Sequence, residues 1–330
     1  MSFPSSSKQP PRRPWTMETL LRERSLAMAN SLDKSTRRTY TSALNSWLAF
    51  VNMHSFSIEP TQDTLSFFIV YMSHHISPRS VKAYLSGLVQ ILEPDYPSIR
   101  AIRSSYLIKK VLRGCLKSKS QPIRRKDPLT VHDLKSVGSR LQHSSSHDDL
   151  LFVAQLYTGF HGLLRLGDMT FPDDPAIRNW RKVPRRSSLI CMPDAYSFTL
   201  PSHKSDRFFE GNKVLIRAFQ SPSIDPIPFI NRYLSSRDRL FPALSPLWLT
   251  EKGVVPSRSF FMSHFRLFFP KNLAGASMRA GGATYLARLG TPAHVIRAMG
   301  RWSSETWEIY IRVHPLLLHA IRDPPNHPAS

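Results

Sequence analysis

The sequence predicts a mainly helical α+β chain with one small antiparallel sheet, divided into two domains. Three observations carry this expectation. From Met17 to Lys119 the apolar residues recur at helical spacing with no convincing strand alternation. From Leu189 to Ile216 the pattern changes to short apolar runs broken by Pro, Asp and Gly, as in a small sheet. Between the two lies KSKSQPIRRKDP, a polar, proline-bearing stretch with the character of a linker. At 330 residues the chain is long enough for two separate cores.

The elements follow in order. Residues 1–16, rich in Pro and Ser, read as a disordered tail. Residues 17–119 read as a domain of four or five helices. Tyr40, Leu44, Leu48 and Val51 share one helical face, as do Leu65, Phe68, Ile69 and Met72. Ser77-Pro78 opens a further helix with Val81, Leu85, Leu88 and Leu92 on its buried side. A basic linker spans 120–127, and a second domain spans 128–322. In that domain Leu129-Thr130 leads into a helix over Val131–Leu141. A buried helix from Leu150 to Tyr157 is expected to turn at Gly159 and continue as a second helix through Leu166. After the sheet, helices resume near Ile227–Ser236 and Phe260–Phe269 and fill Ser277–Val313, with Thr291-Pro292 starting the last part and Gly300 ending a helix. Residues 323–330 read as a loose tail.

Charge narrows the function. Lys and Arg number 45 against 23 Asp and Glu, for a formal charge of +22. Such an excess repels itself in a compact chain unless the partner is a polyanion. Nucleic acid is the first candidate and an anionic membrane surface the second. No run of about 18 apolar residues is present to span a bilayer, and the N-terminal residues lack the apolar stretch of a secretory signal. Cys115 and Cys191 are too few for a disulfide framework. These features point to an intracellular protein, and Arg124-Arg125-Lys126 is the kind of cluster that serves nuclear import. Between Pro97 and Lys126 stand ten basic residues and no acid. Lys109, Lys110, Arg113, Lys117, Lys119, Arg124, Arg125 and Lys126 are therefore candidate DNA contacts, a solvated surface being the alternative.

The chemistry concentrates late in the chain. Arg279 follows Gly275 and Ala276 at a helix start and precedes Gly281-Gly282, Trp302 follows Gly300, and Tyr310 comes eight residues after Trp302. Earlier, Arg165 lies among Leu163, Leu164 and Leu166, with Asp168 three residues on as its expected neighbour. Lys204 falls in SHKSD, read as a turn between two strands. Phosphodiester transesterification requires an in-line nucleophile, cations on the non-bridging oxygens and a proton for the leaving oxygen. Arginine forks suit the oxygens, a lysine the proton and a tyrosine the nucleophile. Taken singly, each residue also has a structural reading: a core Tyr310 or Trp302, a buried Arg165–Asp168 pair, a solvated Lys204, an Arg279 that caps a turn.

Taken together, GLLRLGDMT, SMRAGGATYLARLG and GRWSSETWEIYIR give an order that resembles the catalytic domain of tyrosine recombinases (the phage-integrase-like superfamily), and is similar to eukaryotic mobile-element recombinases of the Crypton and DIRS type. The resemblance covers about Ser31 to Arg312. It implies a helical, SAM-like core-binding domain joined to a mixed catalytic domain, both gripping double-stranded DNA, and a homotetramer on synapsed duplexes. It implies that Tyr310 attacks the phosphate to form a 3′-phosphotyrosyl link, that Arg165 and Arg279 hold its oxygens, that Lys204 protonates the leaving 5′ oxygen, and that Trp302 packs the site and reaches phosphate. Asp168 would support the first arginine. No metal or nucleotide is expected to take part. One position departs: the family's His-x-x-Arg has Ala276 in place of the histidine, three residues before Arg279. His203 and His264 are conceivable substitutes. A recombinase-derived DNA-binding protein that has lost catalysis, with Ala283–Met299 acting as a helix-turn-helix, and a type IB topoisomerase are the alternatives.

Overall fold

The computed structural model describes residues 12–122, 125–202, 211–219 and 221–302. The chain separates into two compact units, Met1–Ile123 and Arg124–Ser330. Among the described residues are twelve α-helices and three strands, so the fold is mainly α with a small antiparallel sheet, as the sequence predicts.

The first unit holds α1 (Met17–Asn30), α2 (Lys34–Met53), α3 (Gln62–His75), α4 (Pro78–Leu92), α5 (Ile99–Ser104) and α6 (Tyr106–Lys119), six helices rather than four or five. The side chains of Trp47, Phe50, Phe68, Ile69, Leu85, Leu88 and Ile108 form its core. The inward face of α2 is rotated from the expected one. Ala43, Trp47, Phe50 and Val51 are buried, Tyr40 and Leu44 only partly, and Leu48 is exposed. Trp47 sets this rotation: its ring packs edge-on against Phe68 and its indole N–H donates to the Ile58 carbonyl at 3.1 Å, and a large ring with a satisfied donor displaces Leu48 from the core. The faces expected for α3 and α4 are the buried ones. Thr61 and Thr64 close a capping box at the start of α3, and Pro78 occupies the first turn of α4.

The second unit comprises α7 (Val131–Leu141), α8 (His147–His161), β1 (Ile190–Met192), β2 (Ala195–Leu200), β3 (Asn212–Arg217), α9 (Ile227–Leu240), α10 (Arg258–Phe268), α11 (Gly275–Arg288) and α12 (Ala293–Met299). The sheet runs β1-β2-β3, antiparallel, with Tyr196 opposite Ile216. Helix α8 is its axis. Leu150 through His161 are all buried, as suits a helix apolar on every side, and α7, α9, α10 and α11 pack around it.

Gly159 lies inside α8 and does not turn the chain. A methyl group there would stand 2.8 Å from the Met278 sulfur, so glycine serves packing. The helix ends two residues later, at His161, with Gly162 as its cap, and Arg165 follows in extended backbone before a single 3-10 turn over Leu166–Asp168. Helix α11 reaches α8 by the same device. A Cβ on Gly282 would lie 2.0 Å from the Phe160 carbonyl oxygen, and one on Gly281 the same distance from that of Leu129. The backbone that these glycines admit is therefore the chain's own.

No helix among the described residues is long and apolar enough to cross a membrane.

Candidate active site

The site is built where three chain segments meet: the end of α8, the second turn of α11 and the end of α12. Helix α8 closes with the Leu164 N–H bonded to the Gly159 carbonyl and the Leu163 N–H to that of Phe160. This is a Schellman motif, whose left-handed residue is usually glycine. Here it is Leu163, with φ +49° and no exposed surface. Its side chain packs with Ala283, Ile296 and Trp302, which is why a leucine holds a conformation that disfavours a Cβ by about 1–2 kcal/mol. Helix α12 closes in the same way: the Trp302 N–H bonds to Arg297 and the Arg301 N–H to Ala298, with Arg301 at φ +54°.

Between these two ends lies Arg279, 4% exposed. Its Nη1 donates to the Leu163 carbonyl at 2.9 Å and its Nη2 to the Gly300 carbonyl. The guanidinium stacks 4.1 Å from the centroid of the Trp302 ring, a cation–π contact. The ring in turn lies on Gly300, where a Cβ would fall 1.6 Å from it. Trp302 thus acts as the platform for Arg279.

Arg165 reaches the same place differently. The sequence predicts that it pairs with Asp168, but the Asp168 carboxylate accepts instead from the Arg165 backbone N–H, at 2.8 Å, and so closes the 3-10 turn. A carboxylate three residues ahead is better placed to cap that turn than to meet a long side chain leading away from it. Among the described residues the Arg165 guanidinium makes no hydrogen bond, and its Nη1 is buried without an acceptor.

The sequence reading missed Arg301. Its Nη2 donates to the Gly162 and Leu163 carbonyls at 3.1 and 3.2 Å, so the Leu163 oxygen serves both Arg279 and Arg301. Its Nε is buried without a partner. Burial pulls its pKa below the ordinary arginine value; the Asp168 charge opposes that shift and the Arg165 charge adds to it. The only sequence signal for Arg301 was its place in the Gly-Arg-Trp.

Of the remaining candidates, Ala276 is exposed on the first turn of α11, one turn before Arg279. His264 lies on α10, with its ring stacked on Phe152 and its Nδ1 at the Phe260 carbonyl. It packs as a core-edge histidine. Lys204 and Tyr310 lie outside the described residues, as do His203 and Arg124; β2 and β3 are the strands that lead into and out of the segment with Lys204. In the first unit Lys109, Lys110, Arg113 and Lys117 are exposed along α6, while Lys119 contacts His74. Arg125 is exposed, and Lys126 donates to the Lys271 carbonyl at 2.6 Å. Among the described residues no group of three or more His, Cys, Asp or Glu could hold a metal.

No family model matches the chain, and neither does any curated protein. Solved structures do. The XerH site-specific recombinase bound to palindromic difH substrate, a post-cleavage complex, superposes with a TM-score of 0.59 at 14% identity, over 88% of this chain and 80% of that one. A lambda integrase (75–356) dimer bound to a COC' core site gives 0.54 at 11% identity, over 96% and 98%. A lambda integrase tetramer bound to a Holliday junction gives 0.53 at 12% identity, over 89% and 76%. The chain has the fold of the tyrosine recombinases and integrases.

Proposed function

We propose that the protein breaks and rejoins DNA strands in site-specific recombination, through a covalent link at Tyr310. The observation that carries this is the bare guanidinium of Arg165, whose charge reaches that of Arg301, in the segment whose Leu163 carbonyl the buried Arg279 holds. A cation without an acceptor, next to a second cation and with the one nearby carboxylate engaged in a backbone turn, is an anion site. A phosphodiester fits the two forks.

In this reading the Tyr310 oxygen attacks phosphorus in line as the bond to the 5′ oxygen breaks. Lys204 gives that oxygen its proton, and Arg165 and Arg279 hold the charge that builds on the non-bridging oxygens. The 3′-phosphotyrosyl ester keeps the energy of the broken bond, so attack by a 5′ hydroxyl rejoins the strand without a nucleotide cofactor. Trp302 acts through Arg279 by holding its guanidinium flat. The cationic face of α6, with Lys109, Lys110, Arg113 and Lys117, supplies backbone contacts to duplex DNA. The further proposals are a synaptic tetramer, a mobile element of Crypton or DIRS kind as the origin of the gene, and a nuclear site of action.

Ala276 favours a second reading, a DNA-binding descendant that no longer cuts, because alanine supplies no donor where the family has histidine.

The test is covalent capture. The protein is incubated with a pool of nicked duplexes of randomised core sequence, and adducts are read on a denaturing gel. The expected outcome is an adduct with wild type and none with Tyr310→Phe. An adduct that persists in Tyr310→Phe removes the proposed nucleophile. DNA binding without any adduct supports the second reading.

A further inference from the structure

We infer that Arg301 is a third guanidinium ligand of the scissile phosphate, a catalytic residue that stands in for the donor Ala276 lacks. The inference rests on the strand-transfer reading above and adds a residue to it.

Three observations carry it. First, Arg301 is held in left-handed backbone. Among the described residues Ser55, Leu163 and Arg301 are the non-glycines with positive φ, and two of these three meet at one hydrogen bond, from Arg301 Nη2 to the Leu163 oxygen. Helix α11 ends in the same motif with Gly290, at φ +75°, and has open space around it. A helix end of this kind needs no arginine, and residues held in this region against their preference cluster at functional sites. Second, the hydrogen-bonding capacity of Arg301 is only part used. Nη2 is bound by two carbonyls, while Nε is buried with no acceptor among the described residues. Third, the charges do not balance. Arg165, Arg279 and Arg301 gather around residues 162–165, with Asp168 the acid whose charge reaches Arg301. Three cations and one carboxylate in a partly buried site leave an excess of positive charge that a bound anion would reduce.

Arg301 also has room to turn toward such an anion. It borders a cavity of about 570 Å³ walled by Phe160, Val214, Tyr285 and Met299, so its side chain is not packed on every side. Ala276 is the exposed residue in an otherwise buried first turn of α11 and presents only a methyl group. The donor that a histidine would bring from α11 comes instead from the end of α12.

The experiment compares wild type, Arg301→Gln and Arg301→Lys, each as the full chain. Where the randomised pool yields an adduct, the cleaved sequence is mapped and resynthesised with a methylphosphonate at the scissile position, which removes the charge of one non-bridging oxygen. Arg301→Gln is expected to form adduct about 10²–10³ times more slowly on the phosphodiester, and within about tenfold of wild type on the methylphosphonate, where less charge needs holding. Arg301→Lys, which keeps the charge but loses the fork to the two carbonyls, falls between. Adding Ala276→His to Arg301→Gln restores at least part of the rate. An equal loss on both substrates in both variants overturns the inference and leaves Arg301 as a structural staple. A second arm separates this failure from failure of strand transfer: the rise in melting temperature given by inorganic phosphate over chloride at equal ionic strength. If wild type forms no adduct but shows a rise that Arg301→Gln abolishes, Arg301 is a phosphate ligand and strand transfer is wrong. If there is neither adduct nor a rise dependent on Arg301, both fall.

Discussion

Two arginines in the second unit, Arg237 and Arg301, have opposite surroundings. Arg237, on α9, is 1% exposed and donates to the Asp238 carboxylate and to the carbonyls of Phe241, Leu244 and Pro246. Asp238 also takes a forked bond from Arg186. Burial raises the pKa of Asp238, but the hydrogen bonds from the two guanidinium groups outweigh that and hold it below the usual carboxylate range. Arg237 is thus neutralised and tied to the loop that follows its helix. Arg301 is only partly buried; it bonds two carbonyls, has no carboxylate partner, and has another arginine close enough to disfavour its charge, while the Nε of both arginines is buried without an acceptor. An unpaired Nε, which both have, does not tell a structural arginine from a functional one. The charge left over does.

The largest expected effect tests the structural side. Arg237→Ala leaves a cavity and three carbonyls without their donor, and should cost about 3–5 kcal/mol in urea unfolding. Arg301→Ala removes an uncompensated charge and should change stability by less than about 1 kcal/mol while abolishing the phosphate response. Equal losses in the two variants would break the comparison.

Next comes pH. His161 adjoins Gly162, whose carbonyl Arg301 uses, and its Nε2 donates to the Ile224 carbonyl at 2.8 Å. Burial lowers its pKa to about 4, partly countered by that bond. The unfolded chain then binds the proton more readily than the folded one. The stabilising contribution is therefore full above about pH 6.5 and is lost as pH falls toward about 4, by about 3 kcal/mol in all. Urea unfolding at a series of pH values should show this slope, and His161→Gln should flatten it.

Smaller again is the platform. Gly300→Ala drives a methyl group into the Trp302 ring and should destabilise by about 1–3 kcal/mol. It should also slow adduct formation more than Gly282→Ala does, because it displaces the support of Arg279. The smallest effect concerns backbone strain. Ser55→Gly and Arg301→Gly each relieve a left-handed residue and should stabilise by up to about 1 kcal/mol, but only the second should lose the response to phosphate.

Much of this architecture was legible in the sequence, for physical reasons that differ by residue. The helix over Val131–Leu141 was read from Leu129-Thr130, and the physical reason its start was legible is that Thr130 caps it, in a capping box with Asp133. The sheet was legible because Pro, Asp and Gly punctuate it. Gly159 misled, because a glycine that admits Met278 looks in sequence like a glycine that turns a chain. Leu48 misled because periodicity marks a stripe but does not say which large ring will take the centre of it. At the site, Arg165, Arg279 and Trp302 were singled out from residue type and order, and of these Arg279 and Trp302 stack on each other. The expected Arg165–Asp168 pair did not form, since a three-residue spacing on a 3-10 turn offers the carboxylate a nearer backbone donor. Arg301 had no signal beyond its place in the Gly-Arg-Trp. Its role depends on a positive φ and on two carbonyls about 140 residues away in the chain, and neither leaves a mark in composition or periodicity.

The shared oxygen of Leu163 has a consequence for control. One peptide group orients two of the three cations, so their positions are not independent variables. A rotation of that peptide would take one bond from each, leaving Arg279 on the Gly300 carbonyl and the Trp302 ring and Arg301 on the Gly162 carbonyl. The end of α8 therefore couples the settings of two of the three cations, and a change there would be felt by both.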